Sequence, residues 1–163
     1  MDVIMVIVDR FMKMIQLKAT TMSISSEGIA KIYRDNIWKL HRVPRKILSD
    51  QEPQFALKFM EKLTRVLGTI RQLLTAYHPQ TDGQMKRINQ EIGMFLQHYV
   101  NHQQDNWTEW LAAAEFQYND KRHAATGRTP FKLNFGRHPW KGNLVVQLGI
   151  PRVEEFLAGL HKS

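Results

Sequence analysis

Residues whose types and spacing could do chemistry are few in this chain. Asp50 follows the short apolar run Ile47-Leu48-Ser49, and a carboxylate at the end of a strand can reach into a cleft and offer oxygen to a hard divalent ion. The same Asp, placed before Glu52-Pro53, could equally cap the following turn. His98 and His102 stand four apart, the spacing that lets two imidazoles share one helix face and a metal, but the sequence supplies no evident third ligand. Ordinary surface histidines are the competing reading. Trp107 and Trp110 could stack on bases, although their helical spacing with Leu111 marks them as core.

Composition narrows the classes. Lys and Arg exceed Asp and Glu by 8 in 163 residues, a surplus that favours polyanions through counterion release. Lys86, Arg87, Lys121, Arg122, Arg128 and Arg137 are candidates for phosphate contact, each alone equally readable as a solvated charge. The absence of Cys excludes disulfides and thiolate zinc and points to an intracellular protein. The longest apolar run, Val3 to Val8, is far shorter than the ~20 residues of a membrane span, so no membrane role is expected. Length and hydrophobic content suit one core: a domain over 1–141, with 142–163 as a linker or the start of a C-terminal extension.

These residues need elements to position them. Val3 to Val8 is a continuous β-branched run, which fits a strand covered on both faces and ended by Asp9-Arg10. Lys13 to Thr20 alternates more loosely and predicts a second, more exposed strand in a hairpin. From Ser26, Ile29, Ile32, Tyr33, Ile37 and Leu40 recur at helical spacing, with Ser25 or Ser26 as N-cap and Val43-Pro44 as the stop. Ile47 to Ser49 is a short strand. Phe55, Phe59, Leu63, Val66 and Leu67 then mark a helix stopped at Gly68, and a strand over Thr69 to Leu74 follows. A Pro- and Gly-containing loop, Thr75 to Gly83, opens into a long helix striped by Met85, Ile88, Ile92, Phe95, Leu96 and Tyr99. Asn106 is placed to cap a last helix whose stripe is Trp107, Trp110, Leu111, Ala114 and Tyr118. Strands first, then alternation, then helices predict a mixed α/β sandwich.

Three ordered blocks carry a family resemblance: Val8-Asp9-Arg10-Phe11, Ile47 through Phe55, and Ala76-Tyr77-His78-Pro79-Gln80-Thr81-Asp82-Gly83 with the helix start Gln84 to Glu91. Trp107-Thr108-Glu109-Trp110-Leu111, Tyr118-Asn119 and Thr126 to Phe131 extend them. Together they resemble the integrase catalytic core of gypsy-type LTR retroelements over nearly the whole chain, from Asp2 to about Trp140. The resemblance implies a ribonuclease H-like fold, a mixed sheet flanked by helices, and strand transfer of DNA by an Asp, Asp, Glu set holding two Mg²⁺ ions. It also implies a nuclear setting, DNA as partner and homo-oligomers. The middle Asp of that set maps to Asp50. The Glu maps to Lys86, with 35 residues between the two. A lysine offers no oxygen ligand, and at ~4 Å and an effective dielectric of ~20 its charge repels a dication by roughly 8 kcal/mol. The family's first Asp lies on a strand before Val3, outside this chain, and that strand is central in the family's sheet, between the strands at Val3 and Ile47. Its loss leaves backbone groups unpaired.

No other acid fills the set. Glu91 lies five positions beyond Lys86, about 140° around the helix, Glu52 faces solvent, and Asp82 sits in the loop. Asp2 and Asp9 map to the ends of the following strand, Asp9 as a structural acid of the turn. Tyr77, Gln80, Arg87 and Asn89 occupy the place where family members touch DNA ends, or else belong to a simple strand-to-helix connection. The expected function is an integrase-core-like domain of a retroelement polyprotein that has lost catalysis and survives as a weak nucleic-acid-binding module or as a degenerate fragment. The alternatives are an active Mg²⁺-dependent integrase or nuclease with an unorthodox acid, and a protein-binding scaffold.

Overall fold

A computed structural model describes residues 1–41, 53–68 and 82–140. The strands expected over Ile47 to Ser49 and Thr69 to Leu74 lie outside the described residues, as does 141–163. The described residues group into two compact units, one within Met1–Val8 and Ile15–Tyr118, the other within Asp9–Met14 and Asn119–Ser163.

The first unit begins with an antiparallel pair, β1 (Val3–Val8) and β2 (Ile15–Thr20), in the register Val3↔Thr20 through Val8↔Ile15. Asp9 N–H donates to the Met14 carbonyl at 2.8 Å, which marks Asp9 and Met14 as a hydrogen-bonded pair at the hairpin end. Bonded and non-bonded pairs alternate in an antiparallel ladder, so Val3, Met5 and Ile7 aim their backbone groups at β2 and Ile4, Val6 and Val8 aim theirs away. Among the described residues β1 pairs with β2 alone.

The burial of the two strands corrects an expectation. β1 is half-buried along its length, whereas β2, expected to be the more exposed, buries Ile15, Gln16, Leu17 and Thr20. The reason lies far along the chain: Glu115 Oε2 accepts the outward Leu17 N–H at 2.8 Å, so a helix side chain closes an edge that β2's own pattern would leave wet.

Next comes α1 (Ser26–Tyr33), whose cap is Ser25, its hydroxyl accepting from Gly28 N at 3.1 Å. The helix does not run straight on to Leu40. A π-helical turn over Arg34–Trp38 intervenes before α2 (Lys39–His41), and Asn36 Nδ2 donates to the Ile32 carbonyl there at 2.8 Å. One extra residue per turn rotates the apolar stripe by about 100°. Leu40, expected on the buried face, is consequently 59% exposed. The α3 helix (Pro53–Leu67) packs on α1, and together they enclose Ala30, Tyr33, Ile37, Phe59, Met60 and Leu63, with Tyr33 and Phe59 edge to face at 5.8 Å. Gly68 ends α3 at φ 65, a left-handed value that suits a residue without Cβ.

The long helix α4 (Asp82–Tyr99) buries Ile88, Ile92 and Phe95 as its stripe predicts. A 3-10 turn (Trp107–Trp110) leads into α5 (Leu111–Asp120), which buries Leu111, Ala114 and Tyr118. Asn106 stands at the expected cap position, but its Oδ1 accepts from Asn101 N at 3.0 Å and makes no bond into the helix. Trp107 and Trp110, expected in the core, are only half-buried; Trp110 lies against Tyr99 at a ring distance of 5.1 Å.

The second unit is held differently. Asp9 Oδ1 accepts from Phe11 N and Met12 N at 2.8 and 3.0 Å and so fixes the hairpin turn, as expected of a structural acid. After α5 the chain loops back, His123 N donating to the Arg128 carbonyl at 3.1 Å, and Thr129 then caps α6 (Pro130–Phe135) by accepting from Lys132 N at 3.1 Å. Asn134 Nδ2 reaches Met14 Sδ at 3.4 Å, which ties α6 to the turn segment.

Candidate functional site

The expected site needs Asp50, Lys86 and the loop before α4. Asp50, Tyr77 and Gln80 lie outside the described residues, so the site is built from its helix side. Lys86 is in the second turn of α4 and exposed, with Arg87 and Asn89 exposed beside it. This part of α4 is cationic and solvent-facing, placed by the burial of Ile88 and Ile92 on the opposite stripe.

Glu91 bears on α5. Its charge acts on Tyr118 of α5, whose phenol is pushed up to about 12, first by burial and then by that carboxylate. A buried apolar stripe thus pins the helix rotation, and the rotation sends Glu91 to α5 and Lys86 to water. Among the described residues no three His, Asp or Glu come together as a metal-binding group. On the helix side of the site, Lys86 offers no oxygen to a hard divalent ion.

The histidine pair also separates. The α4 helix ends at Tyr99, so His102 stands beyond it, and His98 Nδ1 lies 2.7 Å from the Met94 carbonyl of its own helix. One residue escaped the sequence reading. Glu115 follows Leu111 by four and precedes Tyr118 by three, on the buried stripe of α5, and an acid there was the signal. Burial raises its carboxyl above the ordinary value, while the Leu17 N–H and nearby Lys18 pull it back in part. Its task is to hold β2.

No family model matches the chain. In sequence it is similar to the Transposon Tf2-3 and Tf2-4 polyproteins of Schizosaccharomyces pombe (strain 972 / ATCC 24843), each 28% identical over 132 residues, 81% of this chain. The chain spans about 10% of those polyproteins. In structure it is similar to the catalytic core domain of BIV integrase, with TM-score 0.59 and 20% identity over 82% of this chain and 85% of that one. A second neighbour is the HTLV-2 integrase catalytic core domain in complex with magnesium, in a trimeric form, with TM-score 0.58 and 19% identity over 80% and 83%. The resemblance carried by the motifs therefore holds on both counts: the chain is similar in sequence to retrotransposon polyproteins and has the mixed α/β fold of integrase catalytic cores.

Proposed function

We propose that this chain is an integrase-core-like domain of a retroelement polyprotein that no longer transfers DNA strands and keeps nucleic-acid binding. The observation that carries the reading is Lys86, an exposed cation on α4 where the resemblance requires the third carboxylate. Glu91, the nearest acid after it on the helix, is engaged toward Tyr118. The reading that the family's central strand is missing belongs to the same proposal: among the described residues β1 pairs with β2 alone, and the outward backbone groups of Ile4, Val6 and Val8 meet no second strand. Of the two family ligand positions that this chain contains, Asp50 keeps its acid and Lys86 does not, and a lysine supplies no oxygen to either ion. Weak DNA binding, homo-oligomers and a nuclear setting belong to the same proposal, as does a boundary near residue 141.

The test is a nicking and strand-transfer assay on labelled duplex DNA with Mg²⁺ and with Mn²⁺. The expected result is no product above buffer. Metal-dependent product that disappears in Asp50→Asn would overturn the loss of catalysis and favour an active enzyme with an unorthodox acid.

A further inference from the structure

Charge is divided unevenly between the two units. The described residues of the first carry nine Lys and Arg against nine Asp and Glu, whereas the 28 described residues of the second carry seven against two. All seven cations except half-buried Lys13 are exposed.

Both acids among its described residues are held in local contacts. Asp9 spends Oδ1 on the turn amides, and the Asp120 side chain is 3% exposed, with Oδ1 3.7 Å from His138 Nδ1. Among the described residues, the surface left to solvent is therefore cationic. Its members are brought together by backbone geometry as well as sequence: the His123–Arg128 hydrogen bond sets Arg122 and Arg128 at the two ends of one closed loop. Thr126 Oγ1 donates to the Arg128 carbonyl at 3.0 Å and stiffens that loop. The Asp120–His138 contact joins the segment that carries Lys121 to the segment that carries Arg137. Exposed aromatic rings share this unit, with Phe11 87%, Trp140 83% and Phe135 53% exposed. Cations that track phosphates, together with rings free to stack on bases, suit a strand whose bases are unpaired.

We infer that the second unit is a docking surface for single-stranded nucleic acid, with Lys121, Arg122, Arg128 and Arg137 on phosphates and Phe11 and Trp140 under bases. The inference rests on the nucleic-acid part of the proposed function and assigns it to a surface remote in sequence from Lys86 and Arg87. It does not depend on catalysis.

The experiment is fluorescence anisotropy of a labelled thymidine oligonucleotide with the full chain across a salt series, alongside a duplex of equal length. The single strand is expected to bind at least about fivefold tighter than the duplex, because stacking needs open bases. Reversing Lys121, Arg122, Arg128 and Arg137 to Glu is expected to weaken binding at least about tenfold and to lower the salt slope by about three, about 0.7 per lost phosphate contact. Phe11→Ala and Trp140→Ala should each weaken it about fivefold or more. The comparison variant reverses Lys31, Lys39, Lys58 and Arg65, four exposed cations of the first unit, and should weaken it less than threefold. Circular dichroism and a thermal melt confirm that each variant is folded. Equal loss in both reversals would reduce the effect to net charge and overturn the inference, as would duplex binding as tight as the single strand. Loss confined to Lys86→Ala/Arg87→Ala would overturn it while leaving the proposed function standing. Absence of any salt-sensitive binding would sink both.

Discussion

The two units solve the same problem by different means. The first buries apolar side chains against one another, with Leu63 and Ile15 fully enclosed and the charges of its described residues balanced. The second has few such residues among those described, burying Met14, Asn119, Thr129 and Pro130, and relies on capping and turn hydrogen bonds. A region held by local polar contacts can surrender its surface to like charge, because its fold does not need that surface for burial. A region held by a core gains nothing from such segregation.

That contrast can be broken by mutation. The largest expected effect is Leu63→Ala, which opens a cavity between α1 and α3 and should cost about 2–5 kcal/mol in urea unfolding. A loss below about 1 kcal/mol would mean that this core is not what holds the first unit. Glu115→Ala comes next, at about 1–3 kcal/mol, since it strands the Leu17 N–H on the edge of β2.

Glu115→Gln sharpens the same point through pH. The folded chain raises this carboxyl above its ordinary 4.5, so its contribution is fully present below that value and is lost as pH rises through the raised one. Gln keeps an oxygen for Leu17 and should remove this part of the decline, seen as a flatter dependence of melting temperature on pH. An unchanged slope would refute the assignment.

In the second unit, Thr129→Ala removes the α6 cap and should cost about 1 kcal/mol. Ser25→Ala, the equivalent change in α1, should cost a similar amount globally but a smaller share of its unit's stability. Hydrogen exchange can tell the two apart, because Thr129→Ala should speed exchange locally across α6 and Ser25→Ala should not.

Much of the first unit is legible from sequence because its helices are periodic. The stripes of α3 and α4 are read correctly, and so is the stop at Gly68, since spacing and glycine act locally. What escapes is set from a distance. The cover on β2 comes from an acid 98 residues away, and no local pattern in Ile15 to Thr20 reports it. The π-helical turn has no composition signal, so Leu40 is assigned to the wrong face. At the candidate site, Lys86 is reached by counting and stands exposed on α4, whereas the cations at 121, 122, 128 and 137 are named from sequence but their grouping with residues 9–14 is not, because the two stretches join only in the fold.

The alternating ladder of β1 has a kinetic meaning as well. Amides of Val3, Met5 and Ile7 that donate to β2 exchange with deuterium only when the hairpin opens, while those of Ile4, Val6 and Val8 exchange at a rate set by whatever lies alongside them. A two-beat pattern of slow and fast amides would mean that the strand is an open rim in solution. Six slow amides in a row would mean that a further strand closes it, so exchange residue by residue turns the question of a missing strand into a reading of every second proton.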